Sequence, residues 1–345
     1  MKRTGHLLEK IASLDNIWLA IKKVSERKRD RKEVQSILGS IDTYAKKIRE
    51  LLLTESFRNG HYGEMTIHEK TSGKTRLIHK PPIYPDQIIH WAVMLQISPI
   101  IMKGLDHFSC GSIPKRGERF VRETLKANLK KAKGPIVFLK YDIHHYYQSI
   151  DHQRLLEKLQ KRIKDPKALS LLKEIIGATK EGLPIGAYAS QWLANFYLED
   201  LDRYTRQTLK TKAMWRYVDD VVILGDSKEE LRKKQKLIEA FLNQEGLQIK
   251  PNWIIAELDK TDIDFVGYRF HKSGKLSIRK RVWKNARRKL LRVIIHGANP
   301  KRARSVMAYN SYIRNADSYF ILNNYYPRLK FNGLRSLIAQ GGQQL

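Results

Sequence analysis

The chain has 345 residues, 66 of them Lys or Arg against 35 Asp or Glu, which leaves a formal charge of +31 on a sequence that is 42% apolar. That length and apolar content support a sizeable core in two or three subdomains, while so large a charge repels itself unless a polyanion is nearby, which points to nucleic acid before anionic membrane. No apolar run approaches the roughly 20 residues a spanning helix needs, the opening MKRTGHLLEK lacks a secretory apolar core, and the single Cys110 can form neither an internal disulfide nor a multi-cysteine zinc site. A reducing cytoplasm, no membrane, and an ordinary buried thiol at Cys110 are therefore expected.

In chain order, residues 1–58 are charged and place Leu7, Leu8, Ile11 and Leu14 at helical spacing. From Gly60 to Ile83 the texture predicts two strands around the turn TSGK, closed by Pro81 and Pro82. The stretch DQIIHWAVMLQISPIIMKGL predicts a buried helix interrupted at Pro99. A short apolar strand follows at 135–143, then a helix pair with Leu155, Leu156, Leu159 and Ile163 before Pro166 and Leu171, Leu172 and Ile175 after it. The turn GLPIG introduces a helix over Ala189 to Leu209; WRYVDDVVIL predicts a hairpin with its acids at the turn; another helix is expected over Lys228 to Gln244. A strand pair at DIDFVGYRF leads into a basic helical tail. Strands and helices mix without strict alternation, so the fold class is α+β with an antiparallel sheet.

Chemistry concentrates in three acids. Asp219 and Asp220 sit where strands ordinarily avoid carboxylates, and Asp142 ends the strand IVFLKYD, so the three can converge beside a hairpin turn. Hard cations such as Mg²⁺ take oxygen ligands, and two of them about 3.5–4 Å apart activate an attacking hydroxyl and stabilise a leaving pyrophosphate. An acidic turn facing water, beside an unrelated strand-end acid, has the same spacing. Lys74 and Arg76 alternate on one strand face, where they either grip a triphosphate or simply line a solvated edge.

Taken in order, KTRLIHKP, FLKYDIHHYYQSID, GLPIGAYASQWLANFYL, RYVDDVVIL and DFVGYRF resemble the successive motifs of reverse transcriptases over about residues 60–320. The resemblance implies a right-hand polymerase with fingers, a palm of antiparallel sheet and helices, and a short helical thumb, divided as 1–134, 135–270 and 271–345. It implies Asp142, Asp219 and Asp220 as catalytic carboxylates on two Mg²⁺ ions, for which Mn²⁺ can substitute, with the Ile143 carbonyl as a further ligand. Lys74, Arg76, Tyr147, Ile185, Gly186 and Gln191 would surround the incoming nucleotide. The ring of Tyr147 would exclude a 2′-hydroxyl, and Phe265, Val266, Gly267 and Tyr268 would form the primer grip.

Two departures refine the resemblance. Ile185 and Gln191 stand where most relatives carry glutamine and proline, as in the reverse transcriptases of diversity-generating retroelements, whose copying is error-prone opposite template adenine. An aliphatic side chain can only pack where an amide could hydrogen-bond to sugar or base. In GLQIKPNW, Asn252 and Trp253 occupy the places of a lysine pair that would protonate pyrophosphate, with Lys250 a nearby substitute. Residues 271–292 hold ten Lys or Arg and no acid, and Arg279, Lys280, Lys284, Arg287 and Arg288 are expected to track phosphates. Implied partners are a structured template RNA, its cDNA, dNTPs and a small basic accessory protein, in a bacterial or phage-encoded cytoplasmic enzyme. A sister group serving antiphage defence or retron-like priming, and a nucleic-acid-binding scaffold with a decayed polymerase, are alternatives. The length leaves no room expected for a fused RNase H, integrase, protease or endonuclease domain.

Overall fold

The computed structural model describes residues 3–26, 28–68, 75–327, 329 and 331–340. The charged N-terminal region folds as helices Leu7–Ile11, Leu14–Ser25, Lys32–Gly39 and Ile41–Leu53, whose apolar stripes supply Leu7, Ile11, Ile17, Ile21, Val34 and Ile48 to the core. They pack on the helix Ile88–Met102, which is buried on nearly every side. Asn16 staples the two layers: its Nδ2 donates to the carbonyls of Ile11 (2.9 Å) and Ala92 (3.0 Å), and its Oδ1 accepts from Gln96 at 2.7 Å. The interruption expected at Pro99 does not occur, and the helix runs through it. Proline removes one amide donor near the helix end, and the burial of Ile97, Ile100 and Ile101 on either side holds the helix on course.

A five-stranded sheet lies at the centre, in the order Ser109–Cys110, Ala213–Tyr217, Asp220–Gly225, Val137–Asp142, Ile254–Glu257. It is antiparallel except where Ser109–Cys110 runs parallel to Ala213–Tyr217. Neither that short strand nor Ile254–Glu257 stands out in the sequence, because each is too brief to show alternation. The strand period divides the sheet cleanly. Leu139, Tyr141, Met214, Val221 and Ile223 point into a core shared with the helices His152–Gln160, Pro166–Ile176, Tyr188–Tyr197 and Lys228–Gln244. Phe138, Trp215 and Val222 on the opposite face pack with the helix Glu118–Lys131 and with a small sheet of Ile263–Phe265, Tyr268–Phe270 and Leu276–Ile278. That small sheet contains the expected strand pair plus a third strand.

The helix predicted over 189–209 breaks into Tyr188–Tyr197, Glu199–Arg203 and a wider turn at Tyr204–Thr208. The basic tail forms the helices Lys280–His296 and Pro300–Asn315, zipped through Val282, Ala286, Leu290 and Val293 on one and Ala303, Val306 and Ile313 on the other. Each of the buried Val, Leu and Ile side chains is worth ~1.5–3 kcal/mol, the alanines less. The fingers-like hairpin pairs Gly63–His68 with Thr75–Lys80; its tip, including Lys74, lies outside the described residues.

Asn16→Ala removes three buried hydrogen bonds and strands their partners. We expect a loss of about 2–3 kcal/mol of unfolding free energy in urea titration, against less than about 0.5 kcal/mol for the exposed Lys46→Ala.

Candidate active site

Strand register places the three acids. Asp142 and Asp220 are directly paired across neighbouring strands, and Asp219 occupies the two-residue turn between Tyr217 and Asp220. Residues paired in this way share a face and lie about 4.5–5.5 Å apart at Cβ, so Asp142 and Asp220 converge on the face that also bears Lys140. The Ile143 amide donates to the Asp219 carbonyl at 3.2 Å, which ties the end of one strand to the turn of the other. Ile143 itself is fully buried and bridges Ile249.

The charges around this cluster explain its electrostatics. Burial first, and then the neighbouring Asp142 charge, hold the Asp219 carboxyl above the ordinary carboxylate range, with Lys250 and Arg76 opposing the rise. Burial also pushes Asp220 up to about 7, against the pull of Lys140, whose Nζ lies 3.3 Å from Asp220 Oδ1. That oxygen has no hydrogen-bond partner of good geometry. Lys250 is bound to Asp142 twice: its backbone amide donates to the Asp142 carbonyl at 2.8 Å, and its ammonium group pairs with Asp142 Oδ1. The donors are all oxygens, as a hard divalent cation requires. Among the described residues no three His, Cys, Asp or Glu side chains are gathered closely enough to hold a metal as they stand; Lys140 and Lys250 pair with Asp220 and Asp142 there.

The residues expected around the nucleotide come from four elements. Tyr147 is half-buried on the short helical turn Tyr146–Ser149, and its hydroxyl is pushed up to about 12, by burial and then by Asp219. Arg76 is exposed on the hairpin strand Thr75–Lys80, its charge acting on both Asp219 and Tyr147. The Ile185 carbonyl accepts from the His79 amide at 2.7 Å, so the PIG turn is stitched to the fingers-like hairpin. Gly186 adopts φ +116°, and a Cβ there would lie 2.5 Å from the His79 carbonyl; glycine alone permits that approach. Gln191 is half-buried on the helix Tyr188–Tyr197, and its carbonyl accepts from Asn195 Nδ2 at 3.0 Å.

The residues expected to form the primer grip lie on a second tight hairpin. Val266 and Gly267 have φ +43° and +91° between the buried Phe265 and Tyr268. A Cβ on Gly267 would meet the Tyr312 ring at 2.7 Å, and the Arg122 guanidinium lies 5.4 Å from the centre of the Tyr268 ring. Of the basic residues singled out in the tail, Arg279 caps the helix Lys280–His296 and is tied to Asp264. Lys280, Lys284, Arg287 and Arg288 are exposed on that helix, Arg287 donating to the Tyr325 hydroxyl at 3.1 Å and Arg288 to Asn285 Oδ1 at 3.0 Å.

Sequence reasoning passed over Arg216, Asn195, Asp202 and Lys140. Arg216 is 0% exposed, and its Nε and Nη2 grip Asp202 at 2.7 and 2.6 Å while its Nη1 reaches Asn195 Oδ1 at 3.1 Å and the Val218 carbonyl at 2.8 Å. Asp202 outweighs the cost of burial and holds the guanidinium above its ordinary pKa. The one sequence signal was positional: Arg216 shares strand parity with the core residue Met214, an inward place where a cation needs a partner.

Comparison with known proteins shows what the chain is similar to. The chain is 25% identical over 173 residues to the protein YkfC of Escherichia coli K12, covering 45% of each chain. It is 29% identical over 181 residues to the group II intron-encoded protein LtrA of Lactococcus lactis subsp. cremoris, covering 48% of this chain and 29% of that protein. The chain thus spans less than half the length of these curated relatives. Among solved structures, apo telomerase from Candida tropicalis, truncated from its C-terminal domain, aligns with a TM-score of 0.49 at 15% identity over 65% of this chain and 55% of that one. The family model for reverse transcriptase (RNA-dependent DNA polymerase) matches residues 67–270, more than half of the chain, and the chain belongs to that family.

Proposed function

We propose that this chain copies RNA into DNA, with two divalent cations, Mg²⁺ or in substitution Mn²⁺, held by Asp142, Asp219, Asp220 and the Ile143 carbonyl. The observation that carries this is the paired register of Asp142 and Asp220 with Asp219 on the connecting turn, where burial and mutual repulsion call for a cation. The ions would lower the pKa of the primer 3′-hydroxyl and neutralise charge on the triphosphate. The protein's own groups position the reactants. Arg76 faces the acids from the hairpin and neutralises phosphate, Tyr147 lies under the sugar, and the Phe265–Tyr268 hairpin orients the primer. In this reading residues 1–134 carry the N-terminal helices and fingers, 135–270 the palm and 271–345 the thumb, whose exposed Lys280, Lys284, Arg287 and Arg288 track the duplex together with Arg279, while Lys74, outside the described residues, is assigned with Arg76 to the triphosphate.

Ile185 and Gln191 support error-prone copying of a structured RNA, as in diversity-generating retroelements, together with a small basic accessory protein. A second reading follows from the likeness to LtrA and to Nuclear intron maturase 1 of Arabidopsis thaliana, 28% identical over 104 residues: the template would then be an intron RNA. Sequencing the cDNA made on each class of RNA separates the two.

Three outcomes are expected of the purified chain on a primed RNA template. Asp219→Asn or Asp220→Asn lowers extension at least about a thousandfold while RNA binding persists; extension retained in both would remove the metal assignment. Ile185→Gln reduces misincorporation opposite template adenine severalfold, scored by cDNA sequencing, and an unchanged error spectrum there excludes the packing account. Lys284→Ala and Arg288→Ala each flatten the plot of log affinity against log salt by about 0.7–0.9, measured by filter binding; parallel plots would take these residues off the phosphate path.

A further inference from the structure

Resting on the polymerase reading, we propose that Arg216 is the positioning residue of the catalytic turn: it clamps the strained Val218 peptide and so fixes where Asp219 and Asp220 point. Val218 has φ +60°, a left-handed conformation that β-branched residues rarely adopt. In a two-residue hairpin with positive φ at the first central position, glycine is the residue that fits without strain. A valine there persists only when its surroundings over-determine it.

They do so from both sides. The Val218 amide donates to the Cys110 carbonyl at 3.0 Å, and the Val218 carbonyl accepts from Arg216 Nη1 at 2.8 Å. The peptide groups on either side of Val218 are therefore both held. The two anchors belong to one buried cluster. Asp202 takes two donors of Arg216 and the hydroxyl of Ser109, while Asn195 accepts from Arg216 and donates to the Gly111 carbonyl at 2.9 Å. The segment Ser109–Gly111 that supplies the Cys110 carbonyl is thus fixed by the same groups that orient Arg216. Gly111 completes the seat, since a Cβ there would come 2.7 Å from Val218 Cγ2.

The choice of arginine follows from geometry. Two guanidinium nitrogens are spent on Asp202, and the third still reaches both Asn195 and Val218 because the fork is planar and rigid. A lysine ammonium in the same place keeps the charge but not the fork. Arg216 lies on the opposite sheet face from Asp142 and Asp220 and acts on them only through the turn.

The test compares wild type, Arg216→Lys, Val218→Gly and the double variant of the full chain. Amide hydrogen exchange of the segment 217–220 is read by mass spectrometry, and primer extension on poly(rA) with an oligo(dT) primer and dTTP is read by kinetics. In Arg216→Lys, exchange at the turn should accelerate at least about tenfold while the helix Lys228–Gln244 is unchanged. The turnover number should fall about a hundredfold with the KM for dTTP shifted less than about threefold. In the Val218→Gly background, where the turn is no longer strained, the same substitution should cost less than about tenfold. A purely structural salt bridge predicts equal penalties in the two backgrounds, and that equality, or unchanged exchange at the turn, would overturn the proposal. If Arg216→Lys does not fold, Asn195→Ala, which leaves the Arg216–Asp202 pair intact, carries the same comparison with smaller shifts. A wild-type chain that extends no primer would remove the polymerase reading alone, because exchange at the turn still decides whether Arg216 clamps it.

Discussion

Like-charge repulsion among Asp142, Asp219 and Asp220 is the constraint to which the surrounding structure answers. Two unit charges 5 Å apart repel by about 3 kcal/mol at an effective dielectric of 20, and burial adds to that cost, as the raised carboxyls of Asp219 and Asp220 record. The fold answers with counter-charges and with rigidity. Lys140 lies two residues before Asp142 on the same strand face and faces Asp220, while Lys250 is delivered to Asp142 by the backbone pairing that follows Ile249. Rigidity comes from Arg216 and Asp202 on the other side of the sheet, where water cannot compete for the hydrogen bonds. The ammonium groups of Lys140 and Lys250 thus lie beside the acids they neutralise, and the guanidinium of Arg216 sits behind the sheet.

How much of this was legible in the sequence depends on the range of the interactions involved. Helices with a clear apolar stripe are found where the apolar spacing places them, as at Pro166–Ile176 and Lys228–Gln244, and the structure shows what starts them: Asp165 accepts from the amides of Lys167 and Ala168, and Ser227 from that of Glu230. The hairpin carrying Asp219 was visible because both flanking strands are β-branched or aromatic. What escaped was set by distant partners. Ser109–Cys110 becomes a strand only because Arg216 and Tyr217 arrive beside it, and Ile254–Glu257 only because Val137–Lys140 offers an edge. Pro99 reads locally as a break, and burial overrides it. Arg216 reads locally as one basic residue among 66 Lys and Arg, and only the fold shows that Asp202 and Asn195 wait for it.

The resulting architecture is the right-hand polymerase fold of the reverse transcriptase family, a mixed helical and sheet structure. Within it the PIG turn has a division of labour between backbone and side chain. The His79 amide bonds to the carbonyl of residue 185, and Gly186 lies against the His79 carbonyl. Both contacts are made by backbone and are indifferent to the side chain at 185. The junction between hairpin and palm therefore does not depend on whether isoleucine or glutamine stands there, which leaves that position free to vary with the demands of copying.

The hairpin at Val266 and Gly267 repeats the logic of the hairpin at Val218 by different means. Each carries a valine at positive φ in a two-residue turn. Val218 is held by polar groups from within the central sheet and its helices. Gly267 is instead covered by the Tyr312 ring, which belongs to the helix Pro300–Asn315 and packs 5.6 Å from the Tyr268 ring, while Arg122 lies over Tyr268 from the helix Glu118–Lys131. The turn at Val266 and Gly267 is thus seated between the basic tail and the helix Glu118–Lys131 through aromatic surfaces, whereas the turn at Val218 is held through a buried ion pair. Two strained turns of the same length are thus over-determined in different ways, one by directional hydrogen bonds from a buried ion pair and the other by packing against aromatic rings.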